Sequence, residues 1–337
     1  MYSSPFHSTD ITALRFLVTG GAGFIGSHIA EYLLKHRAGK VLVVDDLSTG
    51  REVNMDGFSS DPAFEFVKAD VNDFDVMLEL CEISDYVIHQ AAIGSVPRSI
   101  DQPLLSHHSN ATGFLSVLEA CRRSSVRRLV YASSSSVYGD SAELPKREEN
   151  TGRPKSPYAV TKVLDELYAG VYSRLHGLEV IGLRYFNIFG SRQYPRGPYA
   201  AAIPLFILAA IRGKSPTIFG DGDQSRDFTF VSNAVQANVL ALFASEEACG
   251  EVYNVACGHA YSLNQVIGEL ENLTGHALKS VHKAEREGDI KHSMADIGKA
   301  SKILNYHPDI QLKEGLKQTF EWYRDVYLKE SSSSIGQ

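Results

Sequence analysis

The sequence predicts an α/β fold, in which a doubly wound parallel sheet is followed by a smaller mixed α/β lobe at the C-terminal end. From Leu14 onward, short apolar runs rich in β-forming residues alternate with helical stretches, as in a parallel sheet covered by helices on both faces. The glycine-rich segment TGGAGFIGSH joins the first of these strands to the following helix. The alternation ends after Asn187, where a loop rich in Gly, Pro and Arg begins.

Six strands are predicted in the first domain, and their almost continuous apolar character is typical of strands buried on both faces. In chain order they are LRFLVTG, KVLVVDD, FEFVKAD, DYVIHQA, RRLVYASS and EVIGLRYFN. The helical stretches between them include FIGSHIAEYLLKHR and SPYAVTKVLDELYAGVYSRL. The loop GSRQYPRGPY is followed by a helix, AAIPLFILAAIRG, by two strands around PTIFG and RDFTFV, and by several further helices.

This organisation predicts a first domain over residues 12–186 and a second lobe over residues 187–330, with a flexible tail over residues 331–337. The boundary between the two parts is soft. RDFTFV and EVYNVAC, within residues 226–257, could both return to the first sheet.

The composition excludes several classes of function. The 337 residues carry a formal net charge of -7 and no long basic run, so neither nucleic acid nor an anionic membrane is an expected partner. No stretch of about 18 apolar residues occurs, and the N-terminal segment lacks the pattern of an export signal. The four cysteines, Cys81, Cys121, Cys249 and Cys257, are scattered, which predicts reduced thiols, no metal site and a cytoplasmic location.

The glycine-rich turn predicts a Rossmann-type site for a dinucleotide. Gly20, Gly23 and Gly26 lie between a strand and a helix, where glycine lets the backbone approach a pyrophosphate at the helix N-terminus. A tight turn also needs glycine for purely conformational reasons, so the glycines alone do not establish a dinucleotide site. The second strand provides the deciding evidence. It places Asp45 19 positions after Gly26, where a carboxylate can accept hydrogen bonds from the adenine ribose. The same charge repels a 2′-phosphate, which favours NAD over NADP.

A tyrosine and a lysine one helical turn apart predict acid–base chemistry. Ser156 is a capping residue and Pro157 a first helical residue, so Tyr158 and Lys162 lie on one face of the same helix. A tyrosine has an ordinary pKa of about 10, and a neighbouring ammonium lowers it by favouring the phenolate. Tyr158 could then take a proton from a substrate hydroxyl, with the hydroxyl of Ser134 sharing the hydrogen bond to the reacting oxygen.

Each of these motifs also has a simpler interpretation. The spacing YxxxK occurs by chance in many helices, and four consecutive serines alone suggest a turn or a linker. Their occurrence in order, downstream of a dinucleotide site, favours the functional interpretation. The motifs TGGAGFIG, VYASSSSVYG and YAVTK, together with Asp45, resemble the extended short-chain dehydrogenase/reductases, and among them the nucleotide-sugar 4-epimerases. The resemblance extends from about Leu14 to Lys329.

The resemblance implies a set of residues that bind NAD. These are Gly20, Gly23, Phe24, Ile25, Gly26, Asp45, Asp70, Val71, Gln90, Ala91, Ala92, Asn110, Tyr158, Lys162, Tyr185 and Phe186. Phe186 is expected near the nicotinamide. Family members with galactose-type specificity often carry a lysine after the fourth strand, and Gly94 stands there in this chain.

The resemblance likewise implies residues that bind a UDP-sugar. These are Gly94, Ser95, Ser134, Ser135, Asn187, Gln193, Ala202, Phe219, Arg226, Arg286, Asp289 and Ser293. An arginine fork suits a diphosphate, although Arg226 and Arg286 could also form surface ion pairs with nearby aspartates. Phe219 lies in the segment that sandwiches the uracil in the family, and it could equally be an ordinary core residue of a strand.

The reaction expected from the resemblance is reversible C4 epimerisation through a 4-keto sugar. Dehydratases and decarboxylases of the family carry acidic residues beyond the strand-end serine, whereas Ser135 and Ser136 are neutral. The small Ser293, at a position where a tyrosine restricts the pocket to plain hexoses, implies a UDP-N-acetylhexosamine (UDP-GlcNAc or UDP-GalNAc) as substrate.

Two alternatives and one assembly remain predictions at this stage. Arg196 could bind the carboxylate of UDP-glucuronate or of UDP-N-acetylglucosaminuronate in a uronate 4-epimerase. A catalytically silent NAD sensor would not need Tyr158, Lys162 and Ser134 together. The resemblance also implies a homodimer, formed through the helix from Pro157 and the helix over residues 110–122.

Overall fold

The structure is a computed structural model that describes residues 1–195, 200–285 and 291–333. Its centre is a sheet of seven parallel strands in the order β11-β6-β5-β4-β1-β2-β3. The strands are β1 (Arg15–Thr19), β2 (Lys40–Asp45), β3 (Phe64–Lys68), β4 (Tyr86–His89), β5 (Arg128–Ser134), β6 (Val180–Tyr185) and β11 (Val252–Val255). All six strands predicted in the first domain are therefore confirmed, and EVYNVAC supplies the seventh.

Helices cover both faces of this sheet, as predicted. The helices are α1 (Phe24–Lys35), α2 (Phe74–Glu82), α3 (Val96–Asp101), α4 (Pro103–His107), α5 (Gly113–Arg123), α6 (Pro157–His176), α7 (Ala202–Ile211), α8 (Val231–Leu242), α9 (Leu263–Thr274), α10 (Gly298–Leu304) and α11 (Leu312–Ser333). Helices α1 and α8 pack on one face, and α2, α5 and α6 on the other. The cap predicted for α6 is present, because the side chain of Ser156 accepts a hydrogen bond of 3.1 Å from the backbone N–H of Ala159.

Alternation along the strands divides the core into two apolar layers. On β1, Phe16 and Val18 face α1, whereas Leu17 between them packs in the layer that contains α2 and α5. Successive side chains of a strand point to opposite faces, so a strand covered by helices on both sides must be apolar at every position. This requirement explains why the strands could be recognised as continuous apolar runs.

The second part of the chain is less regular, and its described residues form three small two-stranded sheets. Its short strands are β7 (Ile188–Phe189), β8 (Thr217–Phe219), β9 (Ser225–Asp227), β10 (Thr229–Phe230), β12 (Ala260–Ser262) and β13 (Val281–Lys283). The single strand expected at RDFTFV is divided: β9 pairs antiparallel with β12, and β10 pairs parallel with β7. Neither joins the central sheet. Helices α7, α9 and α11 enclose a separate apolar cluster in this lobe.

Helix α11 continues through Ser333, so residues 331–333 of the predicted tail are helical. Residues 334–337 lie outside the described part of the chain. Within the described residues, no helix is both long enough and apolar enough to cross a bilayer.

A buried arginine, Arg128, links α8 to the central sheet. Arg128, at the start of β5, donates from Nη1 to the carbonyls of Ala241, Leu242 and Ala244 at the end of α8. Its Nη2 lies 2.6 Å from the carboxylate of Glu179, just before β6. The last carbonyls of a helix have no partner within the helix and carry the negative end of its dipole. One guanidinium therefore fixes α8 against β5 and β6.

We expect Arg128→Met to lower the free energy of unfolding by about 3 kcal/mol, because it leaves buried carbonyls and a carboxylate without their donor. The matched control is Arg15→Met, which breaks the Arg15–Asp85 pair, where the arginine side chain is 47% exposed. Exposed pairs stabilise proteins little. Urea unfolding followed by circular dichroism measures both changes, and equal shifts of the two midpoints would contradict the anchoring role of Arg128.

Candidate active site

A cleft of 1410 Å³ opens at the carboxyl ends of the sheet strands. Strand order reverses between β1 and β4, and ligands of open α/β sheets bind at such a switch point. The volume exceeds the 300–1,000 Å³ typical of a pocket for one small ligand. Of the predicted site residues, the cleft is lined by Gly20, Gly23, Phe24, Ile25, Gly26, Asp45, Asp70, Val71, Gln90, Ala91, Ala92, Gly94, Ser95, Ser134, Ser135, Tyr158, Lys162, Tyr185, Asn187, Gln193, Arg226 and Ser293.

The glycine turn has no room for side chains. Gly20 has φ of +66°, and a Cβ there would lie 2.6 Å from the backbone N of Ala91, after β4. A Cβ on Gly26 would overlap the carbonyl oxygen of Gly20. The turn therefore brings the N-terminus of α1 directly to the cleft, and no side chain caps its first N–H groups. These donors and the positive end of the helix dipole suit a pyrophosphate.

The carboxylate of Asp45 lies at the end of β2 beside this turn. It accepts hydrogen bonds from the N–H of Ala22 at 3.0 Å and from the N–H of Leu47 at 2.8 Å. Burial raises the pKa of Asp45, whereas these hydrogen bonds lower it. Carboxylate oxygens have further lone pairs, so Asp45 can still accept hydrogen bonds from ribose hydroxyls at the cleft wall. The turn and this carboxylate together fit a dinucleotide.

Helix α6 carries Tyr158 and Lys162 along the cleft wall. The buried Nζ of Lys162 donates to the carbonyl oxygen of Ala132 on β5 at 2.9 Å and to the Asp165 carboxylate at 3.0 Å. Burial alone would lower the pKa of Lys162, but the charges of Asp165 and Tyr158 raise it above its ordinary value. The ammonium is therefore retained at neutral pH, one helical turn from the partly exposed phenol.

Ser134 ends β5 at the same edge of the sheet, in register with Tyr185 of β6. Its Oγ accepts a hydrogen bond of 3.1 Å from the N–H of Ser136, which leaves the hydroxyl proton available for donation. A phenol, an ammonium and a hydroxyl on adjacent elements can move one proton and bind one oxygen of a substrate.

Asn110 supports the site from behind rather than lining the cleft. It lies in a π-helical segment, His108–Thr112, between α4 and α5, and is fully buried. Its side chain exchanges hydrogen bonds with the backbone of Ile93, in the loop after β4. It also donates to Thr161 of α6 at 3.2 Å. The extra residue of a π segment turns Asn110 inward, where it joins two walls of the cleft.

Three further predicted residues are absent from the described cleft lining. Phe186 is fully buried and packs with Tyr138, Val137 and Ala256, because its side chain points away from that of Tyr185. Ala202 begins α7 and packs against the apolar cluster of the second lobe. Phe219 ends β8 and is half-buried. The structure thus brings together most of the predicted site but not these side chains.

The side of the cleft formed by the second lobe is built around β9. Arg226 lines the cleft, and its Nη1 donates to the carbonyl of Lys291 at 3.1 Å. The backbone N–H of Ser293 donates to Ser225 on the same strand at 3.0 Å. Asn187, with φ of +40°, donates from Nδ2 to the carbonyl of Asp227 at 3.1 Å. Arg226, Ser293 and Asn187 are therefore held around one short strand.

Arg286 and Asp289, and also Arg196, lie outside the described residues. The sequence analysis missed other residues that the structure places on the cleft wall, among them Asp46, Ser48, Thr49, Gly50, Arg51, Asn54, Arg98 and Lys155. Most of them follow β2, β4 or β5 in loops. Loops at the carboxyl ends of parallel strands border the ligand site, which was the signal available.

Comparison with known proteins gives concordant results. The chain matches the NAD dependent epimerase/dehydratase family over residues 16–256. It is 37% identical to a UDP-glucose 4-epimerase of Mycolicibacterium smegmatis over 314 residues, which cover 93% of this chain and 99% of the relative.

Two solved structures share the whole fold. UDP-N-acetylglucosamine 4-epimerase from Methanobrevibacter ruminantium M1, in complex with UDP-N-acetylmuramic acid, has a TM-score of 0.89 at 36% identity, over 94% of this chain and 99% of that one. UDP-glucuronic acid 4-epimerase from Bacillus cereus, in complex with UDP-glucuronic acid and NAD, has a TM-score of 0.86 at 32% identity, over 93% and 100%. Because the family match extends through the central sheet from β1 to β11, the chain belongs to the NAD-dependent epimerase/dehydratase family of enzymes.

Proposed function

We propose that the protein is a UDP-N-acetylhexosamine 4-epimerase, which interconverts UDP-GlcNAc and UDP-GalNAc with tightly bound NAD. One observation carries the proposal. Tyr158, Lys162 and Ser134 share a single cleft with the glycine turn on one side and with Arg226 and Ser293 on the other. The three similar enzymes described above are all named as 4-epimerases of UDP-sugars, and the Bacillus cereus enzyme was crystallised with NAD.

In the proposed mechanism, residues of the chain bind and orient the sugar and exchange one proton with it. When bound, NAD would supply the acceptor for the hydride that leaves C4 of the sugar and the donor that gives it back to the opposite face. Tyr158 accepts the proton of the C4 hydroxyl. It returns this proton after the keto sugar has rotated in the cleft to present its opposite face. Lys162 favours the phenolate of Tyr158, and Ser134 donates a hydrogen bond to the C4 oxygen. The neutral Ser135 and Ser136 offer no further acid or base, which favours simple inversion.

The remaining roles follow from the position of each residue. We propose that residues 12–186 hold NAD, with the α1 N-terminus on the pyrophosphate and Asp45 on the ribose. Residues 187–330 would hold the UDP-sugar, with Arg226 on the diphosphate, because a guanidinium matches phosphate geometry. Unpaired cysteines at all four positions suit a reducing compartment, and we propose a cytoplasmic enzyme.

The choice of an acetylated sugar rests on small residues at the cleft wall. Ser293 is 8% exposed, and its backbone is fixed on β9, so its short side chain leaves space that a larger residue would fill. Gly94 and Ser95 line the same cleft. The similar enzyme from Methanobrevibacter ruminantium is named for UDP-N-acetylglucosamine.

A uronate 4-epimerase is the second candidate function. Arg98 of α3 lines the cleft close to Gly94 and Ser95, and a guanidinium there could bind a sugar carboxylate. The similar Bacillus cereus enzyme was crystallised with UDP-glucuronic acid.

The proposed function is tested by incubating the purified protein with UDP-GlcNAc, UDP-Glc and UDP-GlcA in turn and following products by proton NMR. We expect UDP-GlcNAc to give the highest kcat/KM. Tyr158→Phe should reduce turnover by about 10²–10⁴-fold, because the proton acceptor is lost, while bound NAD, measured after denaturation, is retained. Faster turnover of UDP-GlcA would favour the second candidate, and no turnover of any sugar would contradict both.

The size of the residue at position 293 should determine sugar preference. We expect Ser293→Tyr to reduce kcat/KM for UDP-GlcNAc about tenfold more than for UDP-Glc, because a phenol ring occupies the space for the acetamido group. Ser293→Ala, which removes only the hydroxyl, is the matched control and should keep the ratio. An equal loss on both sugars in Ser293→Tyr would show that this residue does not select the substrate.

We further propose that the protein is a homodimer formed through α6. An apolar stripe runs along the exposed side of this helix at helical spacing, and it includes Leu167, Val171 and Leu175. Leu175 is 72% exposed, and Leu104 on the adjacent α4 is 85% exposed. A contiguous apolar surface of this kind on a soluble chain marks a protein interface. A second copy of the same face would cover it symmetrically.

Light scattering after size exclusion should give a dimer for the wild-type protein and a monomer for Leu167→Glu with Leu175→Glu, because buried carboxylates would face one another. Ile83→Glu, on an exposed apolar residue that ends α2, is the control and should remain dimeric. A wild-type monomer would rule out this interface.

A further inference from the structure

A buried carboxylate lies directly behind the ammonium that serves Tyr158. Asp165 follows Lys162 by three residues on α6, and its Oδ2 lies 3.0 Å from the Nζ of Lys162. The residue is fully buried and does not line the cleft. Its other oxygen, Oδ1, has no hydrogen-bond partner among the described residues. Asp165 therefore contacts the site through Lys162.

An ionised carboxylate is expensive to bury, so its position needs a physical reason. Burial raises the pKa of Asp165 to about 6, and the Lys162 charge and hydrogen bond oppose this rise. The carboxylate is thus mostly ionised at neutral pH, next to a retained ammonium. The following residue, Glu166, could not replace it, because its carboxylate pairs with Arg184 of β6 at 2.8 Å.

We propose that Asp165 is a positioning residue that orients the Lys162 ammonium and, by partly neutralising its charge, limits how strongly Lys162 favours the Tyr158 phenolate. This inference rests on the roles given above to Tyr158 and Lys162. The Nζ has three donors, and two of them are fixed by Asp165 and by the Ala132 carbonyl. The third N–H donor is thereby left to point toward the cleft, which Lys162 lines.

The other groups around this pair are either neutral or paired. His89 of β4 is fully buried, and burial followed by the Lys162 charge lowers its pKa to about 3, so it is uncharged. Burial raises the pKa of Tyr131 of β5 well above its ordinary value, so it stays protonated. Glu166 and Arg184 compensate one another. Among the described residues facing the pair, Asp165 is the negative charge that acts on Lys162 most directly.

The sign of the effect of Asp165→Asn follows from these charges. Without the carboxylate, the Lys162 charge acts in full on Tyr158, so the tyrosine loses its proton at lower pH. Lys162 loses its anionic partner as well, and because burial disfavours the ammonium, it also loses its proton at lower pH. Both limbs of the pH profile of kcat should therefore move to lower pH, by about one pH unit.

The experiment uses the NAD-bound protein and two measurements. The first is kcat against pH, followed by NMR. The second is a near-ultraviolet titration of tyrosinate absorbance, in which subtraction of the Tyr158→Phe titration isolates Tyr158. We expect the midpoint of this titration to fall by about one pH unit in Asp165→Asn and in Asp165→Ser. Two variants are measured so that one remains if the other does not fold.

The matched control is Glu119→Gln, which removes one negative charge from α5, where Glu119 contacts Arg122, Arg123 and Tyr172 and is away from the cleft. Its titration midpoint should not move. An unchanged midpoint in the Asp165 variants, or one displaced to higher pH, would overturn the proposal. If the wild-type protein turns over no UDP-sugar, the proposed function fails, whereas the tyrosinate titration still decides the role of Asp165.

Discussion

The contact between Lys162 and the carbonyl of Ala132 is the interaction on which the active site depends. It joins the middle of α6 to the end of β5 with a buried charge, at 2.9 Å. A charge can be buried only when it is paired and hydrogen-bonded, and here β5 and Asp165 supply both requirements. With Lys162 fixed in this way, helical geometry places Tyr158 one turn earlier on α6, on the wall of the cleft that Ser134 also lines.

A second layer of hydrogen bonds extends from this point through the first domain. Asn110 connects α6 to the loop after β4, and Glu166 connects α6 to Arg184 of β6 and to Ser133 of β5. Each connection ends on a strand or a loop that borders the cleft. The walls are thereby fixed relative to one another, and of the side chains that make these connections Ser133 itself lines the cleft.

In the second lobe too, a buried charged side chain with several hydrogen bonds joins neighbouring segments. The buried carboxylate of Asp227 accepts hydrogen bonds from the backbone N–H groups of Cys257, Gly258 and Ala295, at 2.9, 3.0 and 3.3 Å. These donors lie on two separate segments, one with Cys257 and Gly258 and the other with Ala295. Burial raises the pKa of Asp227 to about 6, and the hydrogen bonds oppose this change. One carboxylate thus holds β9 against the segment that carries Ser293, and with it the wall of the cleft formed by Arg226 and Ser293.

The sequence alone determined the elements whose signals are local. Nearly continuous apolar runs identified β1, β2, β4, β5 and β6, and the cap at Ser156 identified the start of α6, because burial on both faces and capping leave marks within a few residues. The edge strand β3 alternates instead, with Glu65 and Lys68 exposed. The glycine turn and Asp45 could be read for the same reason, since both depend on the strand that precedes them.

Only the tertiary structure decided what depends on contacts between distant segments. The division of RDFTFV into β9 and β10 follows from pairing with β12 and β7, which the segment itself does not encode. Phe186 lies in the core although its neighbour Tyr185 lines the cleft, because adjacent side chains diverge. Asp165 could be placed on the Lys162 side of α6 by spacing. Its burial depends on how closely α6 packs against β5, which no local pattern in the chain records.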